Sequence, residues 1–231
     1  MEISYRLKCI AAMVDSCDKS IDVGTDHGYI PIYLIKNGVC KEVIASDINK
    51  GPVEKAKKNV SLEGLKCKIT CRLGGGLTVV KPKEVDCAII AGMGGNLIRD
   101  IIEDSIEVFK ELDFAVLQPV QNPEILRKYL YESGYNIIDE EICEDEGKFY
   151  EIIKVIYNHK PQNLEPIYYE ISSHLIEKKH PLLQKYIEFK LDKYKKVLEY
   201  LKEDSEATQH RKKELEDKII RLKEIISWLL R

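Results

Sequence analysis

The stretch Ser20-Ile21-Asp22-Val23-Gly24-Thr25-Asp26-His27-Gly28-Tyr29-Ile30-Pro31 decides how the first half of the chain is read. A short apolar run ends on glycine and an apolar helical pattern starts within a few residues, so a strand turns sharply into a helix. Glycines at 24 and 28 let the backbone approach a ligand where a side chain would collide. The start of the next helix offers unpaired N–H groups close by. The glycines are four apart, and acids stand at 22 and 26. That is unlike the G-x-G-x-x-G turn that receives a pyrophosphate. Carboxylates suit a ligand with an ammonium and a cationic sulfonium, which favours S-adenosylmethionine over NAD. A tight turn with capping acids is the plain alternative.

Working outward, Asp47 closes a second strand pattern 23 residues after Gly24, well placed for ribose hydroxyls. Ile48 follows it. Gly74-Gly75-Gly76-Leu77 comes after a third strand pattern, where adenine would lie, and Ala91-Gly92-Met93-Gly94-Gly95-Asn96 after a fourth. Loops that follow parallel strands gather at one edge of the sheet, so these four describe one cleft.

Short β-rich runs at 20–23, 42–46, 68–72, 85–91 and 114–118 alternate with helical stretches near 31–37, 51–63, 96–107 and 123–133. This order predicts an α/β fold, a Rossmann-like, mostly parallel sheet with helices on both faces. Runs at 135–143 and 149–157 have no helix between them and predict an antiparallel edge pair joined by a turn at 145–148. Over 158–166 periodicity stops, which sets a boundary between a catalytic domain of residues 1–158 and a helical domain of residues 159–231. In the latter, a helix near 165–179 ends at His180-Pro181. Two apolar stripes follow, Leu183, Ile187, Leu191, Tyr194, Leu198 and Leu201, then Leu215, Ile219, Leu222, Ile226 and Leu229. Their steps of three and four put each on one helical face. The polar stretch 203–210 then joins a coiled-coil-like hairpin.

Composition narrows the function class. The chain has 231 residues, 44% of them hydrophobic, enough for one full domain and an appendage. Apolar runs fall short of the roughly 18 residues of a membrane span, and residues 1–15 offer too brief an apolar run for a secretory core. A cytoplasmic protein without membrane association is expected. Seven cysteines, an odd number with no C-x-x-C pair, suggest reduced thiols and no metal. Net charge is -3, with 16 Lys or Arg against 13 Asp or Glu from residue 160 onward and 20 against 26 before it. This asymmetry hints at a polyanion partner for the C-terminal part.

At these residues the chain resembles the class I methyltransferases, and among them the bacterial tRNA (adenine(22)-N(1))-methyltransferase family, TrmK. The matching features are Arg6-Leu7, the loop from Asp22 to Pro31, Ala91-Gly92-Met93-Gly94-Gly95, Leu117-Gln118-Pro119, Glu144-Asp145-Glu146-Gly147-Lys148-Phe149-Tyr150-Glu151 and the helical tail. The resemblance implies S-adenosyl-L-methionine as cofactor and tRNA as partner. It implies a cofactor site of Asp22, Gly24, Thr25, Asp26, His27, Gly28, Asp47, Ile48, Gly75, Gly76, Leu77, Ala91, Gly92, Met93 and Gly94, with Met93 and Gly94 near the transferred methyl. Gly75 stands where related enzymes often carry Asp or Asn, and Val120 where Asn is expected after Leu117-Gln118-Pro119.

Methyltransferases that act on an exocyclic amine resemble one another in an Asn or Asp, two prolines and an aromatic after the fourth strand, a tetrapeptide this chain lacks. A ring nitrogen with an in-plane lone pair needs mainly alignment. The lack of a strong general base is therefore tolerable, and the resemblance implies N1 of an adenine, turned into the cleft, as the target. Polar groups such as His27, Tyr29, Gln118 and Asn122 would hold it, with Asp26 serving either cofactor or base. Arg6, Lys178, Lys179, Lys185, Lys212 and Lys213 are candidates for tRNA phosphates. A monomer is expected. Two rivals remain, a cofactor-binding RNA scaffold without turnover and an NAD-dependent oxidoreductase.

Overall fold

A computed structural model of the chain describes residues 2–201 and 205–230. The elements are α1 (Tyr5–Ala12), β1 (Cys17–Val23), α2 (Tyr29–Lys36), β2 (Cys40–Asp47), α3 (Lys50–Leu62), β3 (Ile69–Leu73), β4 (Cys87–Gly94), α4 (Gly95–Asp104), α5 (Ile106–Phe109), β5 (Phe114–Gln121), α6 (Pro123–Glu132), β6 (Tyr135–Asp145) and β7 (Lys148–Tyr157). After these come α7 (Pro166–Glu170), α8 (Ser173–Glu177), α9 (Leu183–Tyr200) and α10 (Glu206–Leu229). The strands form one sheet in the order β3-β2-β1-β4-β5-β7-β6. The first five strands pair in parallel, and β7 runs antiparallel to both neighbours. Strand order reverses between β1 and β4, where crossovers leave to opposite sides and open a crevice at the carboxyl ends.

The sheet is Rossmann-like, as the alternation of patterns required. Cys87, Ala88, Ile89 and Ile90 of β4 are fully buried, which is why this central strand reads as an unbroken apolar run. Helix α3 buries Val53, Ala56 and Val60 at helical spacing and leaves its lysines outside. The β6–β7 turn is the two residues Glu146 and Gly147, with φ of 49° and 73°, the left-handed pair that a two-residue hairpin requires. Arg127 of α6, fully buried, donates through Nε to Glu140 Oε1 at 2.7 Å and through Nη2 to Glu151. It fastens the antiparallel pair to the helix beneath.

Three local expectations are corrected. The helix expected over 96–107 breaks at buried Ser105 (φ -136°), whose carbonyl accepts from Val108 and Phe109 and starts α5 afresh. The helix expected over 165–179 is two short ones, because Ile171 is extended and fully buried and the Ser172 hydroxyl accepts from the His174 and Leu175 amides. Helix α10 starts at Glu206 and not beyond His210, since Ser205 caps it by accepting from the Thr208 amide at 3.3 Å. Glu203 and Asp204, where the expected connection begins, lie outside the described residues.

The chain divides into two compact units, Met1–Asn163 and Leu164–Arg231. The division falls past the boundary expected after Asn158, because the Asn158 amide donates to the Gly134 carbonyl at 3.1 Å and the Gln162 amide to that of Tyr131 at 2.8 Å. In the second unit α9 and α10 pack together, and the stripe residues Leu183, Ile187, Leu191, Leu215, Ile219 and Leu222 are buried. Buried Glu170 ties α7 to both, with Oε1 2.6 Å from Lys190 Nζ and Oε2 2.8 Å from Lys218 Nζ, and accepts from the Tyr194 hydroxyl. Although burial opposes its charge, the two lysines hold this carboxyl well below the usual range. Among the described residues no helix is long and apolar enough to cross a membrane.

Candidate active site

At the end of β1 the chain must leave the sheet quickly, and Gly24 does this at φ 76°. The Gly24 and Thr25 amides both donate to the Ser46 carbonyl, at 2.8 and 2.9 Å, folding the turn over β2. Asp47 ends β2 with Oδ1 accepting from the Asn49 amide at 2.8 Å, and its carbonyl accepts from the Gly74 amide at 2.9 Å. Two loops distant in sequence are thereby joined beside a cavity of about 480 Å³.

Eight of the residues expected to hold a cofactor line this cavity: Gly24, Asp47, Ile48, Gly75, Gly76, Ala91, Gly92 and Met93. Asp22, Thr25 and Leu77 are buried and stand outside its lining. Burial pushes the Asp22 carboxyl up to about 7, and the charge on Asp47 adds to the effect. Asp26, His27, Gly28 and Gly94 also lie outside the lining. Leu97, Ile101 and Asp104 of α4 contribute to it without having been anticipated. Their only signal is that α4 begins directly after the glycines of β4, so its first turns pass the crevice. Ile48 and Leu97 are 72% and 51% exposed, large apolar surfaces facing an open space.

The ends of β4 and β5 are irregular, with register shifts after Ala91 and after Met93, which re-aim these backbones. Gly95 follows. A side chain there would place its first carbon 2.4 Å from the Asn122 carbonyl oxygen, so α4 can begin against the β5–α6 turn only on glycine. Asn122 is exposed in the left-handed region, φ 53°. His27 and Tyr29 stack with centroids 5.0 Å apart and planes 10° from parallel. Asp26 Oδ2 lies 3.2 Å from His27 Nε2, and the Asp26 side chain is 61% exposed.

Two expectations change. Gln118 is fully buried, with Nε2 donating to the Pro119 carbonyl at 2.9 Å and Oε1 accepting from Arg6 Nη1 at 3.0 Å. It supports a neighbour from inside the core. Arg6 is half-buried, lies over the Tyr150 ring at 5.0 Å and has its amide 3.3 Å from Asp145 Oδ2. It stands at the ends of β4 and β5, with Nη1 3.7 Å from where a Gly92 side chain would begin. Lys178, Lys179, Lys185 and Lys213 are exposed and Lys212 is half-buried, all in the second unit. Lys179 Nζ sits 5.1 Å over the Trp228 ring. Among the described residues no group of three or more His, Cys, Asp or Glu is arranged to hold a metal ion.

The sequence model of a protein family described as tRNA (adenine(22)-N(1))-methyltransferase matches residues 20–224. A Bacillus subtilis (strain 168) protein, named tRNA (adenine(22)-N(1))-methyltransferase, is 32% identical over 98% of each chain. Among solved structures, Sp1610 of Streptococcus pneumoniae in complex with S-adenosyl-L-methionine is 33% identical, with a TM-score of 0.87 over 97% of this chain and 100% of that one. M. capricolum TrmK in complex with S-adenosyl-homocysteine is 26% identical, with a TM-score of 0.83 over 100% of both.

Proposed function

The chain belongs to the tRNA (adenine(22)-N(1))-methyltransferase family, and from that premise we propose that it moves a methyl group from S-adenosyl-L-methionine to N1 of adenine 22 in tRNA. The observation that carries this reading is a glycine-floored, acid-bearing cavity whose Gly92 stands beside Arg6, the partner of Gln118 at the carboxyl end of β5.

The residues present fit the cofactor. The carboxylate of Asp47 closes the strand that follows the glycine turn, where ribose hydroxyls would be met. The exposed faces of Ile48 and Leu97 in the cavity wall are what a purine ring would cover. Asp22, whose carboxyl burial raises to about 7, stands behind the cavity lining, where a nearby cation would favour its ionised form, as an ammonium or sulfonium does and a pyrophosphate does not. Gly75 leaves room where related enzymes carry a side chain. Met93, whose Cε lies where a Gly24 side chain would stand, is assigned to the methyl end together with Gly94.

When bound, S-adenosyl-L-methionine supplies an electrophilic methyl on a positively charged sulfur. The chain has to align N1, whose lone pair forms the new bond, and no proton leaves the base. The adenine gains a positive charge in the process. Asp26 is assigned to the base, since it is exposed and stands outside the cavity wall, and its carboxylate offsets that charge. The parallel rings of His27 and Tyr29 offer a flat surface for an adenine turned out of its stack. Arg6 orients the base or its phosphate, and Gln118 positions Arg6. Asn122, exposed at the turn into α6, supplies a polar edge.

The test is incubation of the purified protein with undermodified tRNA and methyl-labelled cofactor, followed by mapping of the product. Label is expected as N1-methyladenosine at position 22. Label in protein or in another nucleoside would overturn the assignment, and cofactor binding without label in any RNA would favour the scaffold reading. The same reading makes the enzyme a cytoplasmic monomer. Light scattering of the purified chain at the mass of a dimer would refute the latter.

A further inference from the structure

Charge in the first unit is concentrated in one place. Residues 50–72 carry seven Lys or Arg against two Glu, while the rest of residues 1–159 carries 13 against 24. The segment therefore has a net of +5 on a background of -11. It is α3 followed by β3, the strand at one edge of the sheet. Both of its acids are already engaged, Glu54 with Lys57 at 2.9 Å and Glu63 with Lys36, and Arg72 is paired with Glu84 at 2.5 Å. Lys50, Lys55, Lys58, Lys66 and Lys68 are exposed, and among the described residues none of them forms an ion pair.

Lysines beside an edge strand can serve only to stop another chain from pairing with it, and that would account for Lys66 and Lys68. It does not account for Lys50, Lys55 and Lys58 on the helix. Between α3 and β3 runs a cleft of about 520 Å³, whose lining includes Lys57, Lys58 and Ser61 from the helix and Lys66 and Thr70 from the other side, so ammonium groups and hydroxyls border the same cleft. The cleft is also anchored to the cavity. Helix α3 starts directly after Asn49 and β3 ends directly before Gly74, and both Asn49 and Gly74 line the cavity.

We propose that the α3–β3 face is a docking track for the phosphate backbone of the RNA substrate. This deepens the reading above and rests on it. A run of unpaired ammonium groups beside hydroxyls fits a polyanion of regular charge spacing, and a unit that is otherwise acidic repels the same polymer elsewhere, which fixes its approach. The basic residues of α10 differ, because they are interleaved with acids: Arg211 pairs with Glu214 at 3.1 Å and Arg221 with Glu224 at 2.9 Å.

The experiment compares wild type, Lys58→Glu/Lys66→Glu and Lys58→Arg/Lys66→Arg, all at exposed positions, by tRNA binding and by turnover over a range of KCl. The charge-reversal variant should bind tRNA about tenfold or more weakly, with a salt dependence shallower by roughly two phosphate contacts. Its KM for tRNA should rise in step, kcat at saturating tRNA should stay within about twofold, and S-adenosylhomocysteine affinity should be unchanged. The arginine variant should restore both affinity and salt slope. Unchanged tRNA affinity and salt slope in the charge-reversal variant would overturn the track, even in an active enzyme. A wild type that binds tRNA but methylates none would overturn the function instead and leave the binding comparison intact.

Discussion

Replacing Asp22 by asparagine should stabilise the protein at alkaline pH while weakening its hold on the cofactor. In the folded chain burial lifts this carboxyl from 3.8 to about 7. The native state therefore binds the proton more tightly than the unfolded state. The favourable contribution is complete below about pH 4, declines as pH rises to about 7, and is gone above it. Three units at about 1.4 kcal/mol each make the loss about 4 kcal/mol by pH 8. The asparagine escapes that loss, though the unmatched N–H groups of a buried amide cost about 1–3 kcal/mol. The net at pH 8 is a gain of about 2 kcal/mol, or about 4–8 °C in melting temperature for a unit of this size. At pH 5 most of the gain should be absent. Denaturant titrations of both proteins at pH 5 and pH 8 measure the difference, and a gap that stays constant between the two would refute the reasoning. Calorimetry gives a second view: S-adenosylhomocysteine should bind wild type more tightly as pH rises from 5.5 to 7.5, with proton release, and Asp22→Asn should lose this dependence.

Gly95→Ala puts a carbon 2.4 Å from backbone that cannot rotate away, so about 3 kcal/mol of stability should be lost. A melting temperature within a degree of wild type would show that α4 is free to shift. Asp47→Ala should weaken S-adenosylhomocysteine binding at least tenfold by calorimetry, and unchanged affinity would remove Asp47 from the site. Arg6→Ala should leave that affinity intact and lower kcat/KM for tRNA by one to two orders of magnitude, with Arg6→Lys recovering little, because the link to Gln118 and the stacking on Tyr150 both use the guanidinium plane. Glu170→Ala leaves Lys190 and Lys218 without their carboxylate, and about 3 kcal/mol should be lost from the second unit. In wild type the stabilising charge of Glu170 is present above its ordinary value and lost as pH falls through its lowered one. Circular dichroism across pH 2–5 should therefore show the helical signal fall in acid, and an acid-insensitive wild type would count against the knot.

The fold was legible because its signals are local. A glycine or an acid ends each of β1 to β4 at the cleft edge, and the apolar run of β4 states its own burial on both faces. Eight of the cofactor residues that the resemblance implied line one cavity for the same reason, since each sits within a residue or two of a strand end. What escaped depends on contacts between distant segments. Nothing near Arg6 announces that it meets Gln118, 112 positions away, and nothing near Gln118 says that its amide is spent inside. The break at Ile171 is invisible to periodicity, because a buried isoleucine suits a helix stripe equally well until Ser172 caps a new turn. The basic character of α3–β3 is diluted in the net charge of residues 1–159, and the structure adds that both of its acids are engaged.

The contact between Arg6 and Gln118, roofed by Tyr150, has a consequence for biosynthesis. Arg6 leaves the ribosome 144 residues before Tyr150, so a nascent fragment can hold every segment of the glycine cleft and still lack the ring over which Arg6 lies. With Arg6 in its proposed role, methylating competence arrives only once β7 is in place. A chain released early, before β7 has joined the sheet, could sequester the methyl donor but would leave transfer RNA untouched.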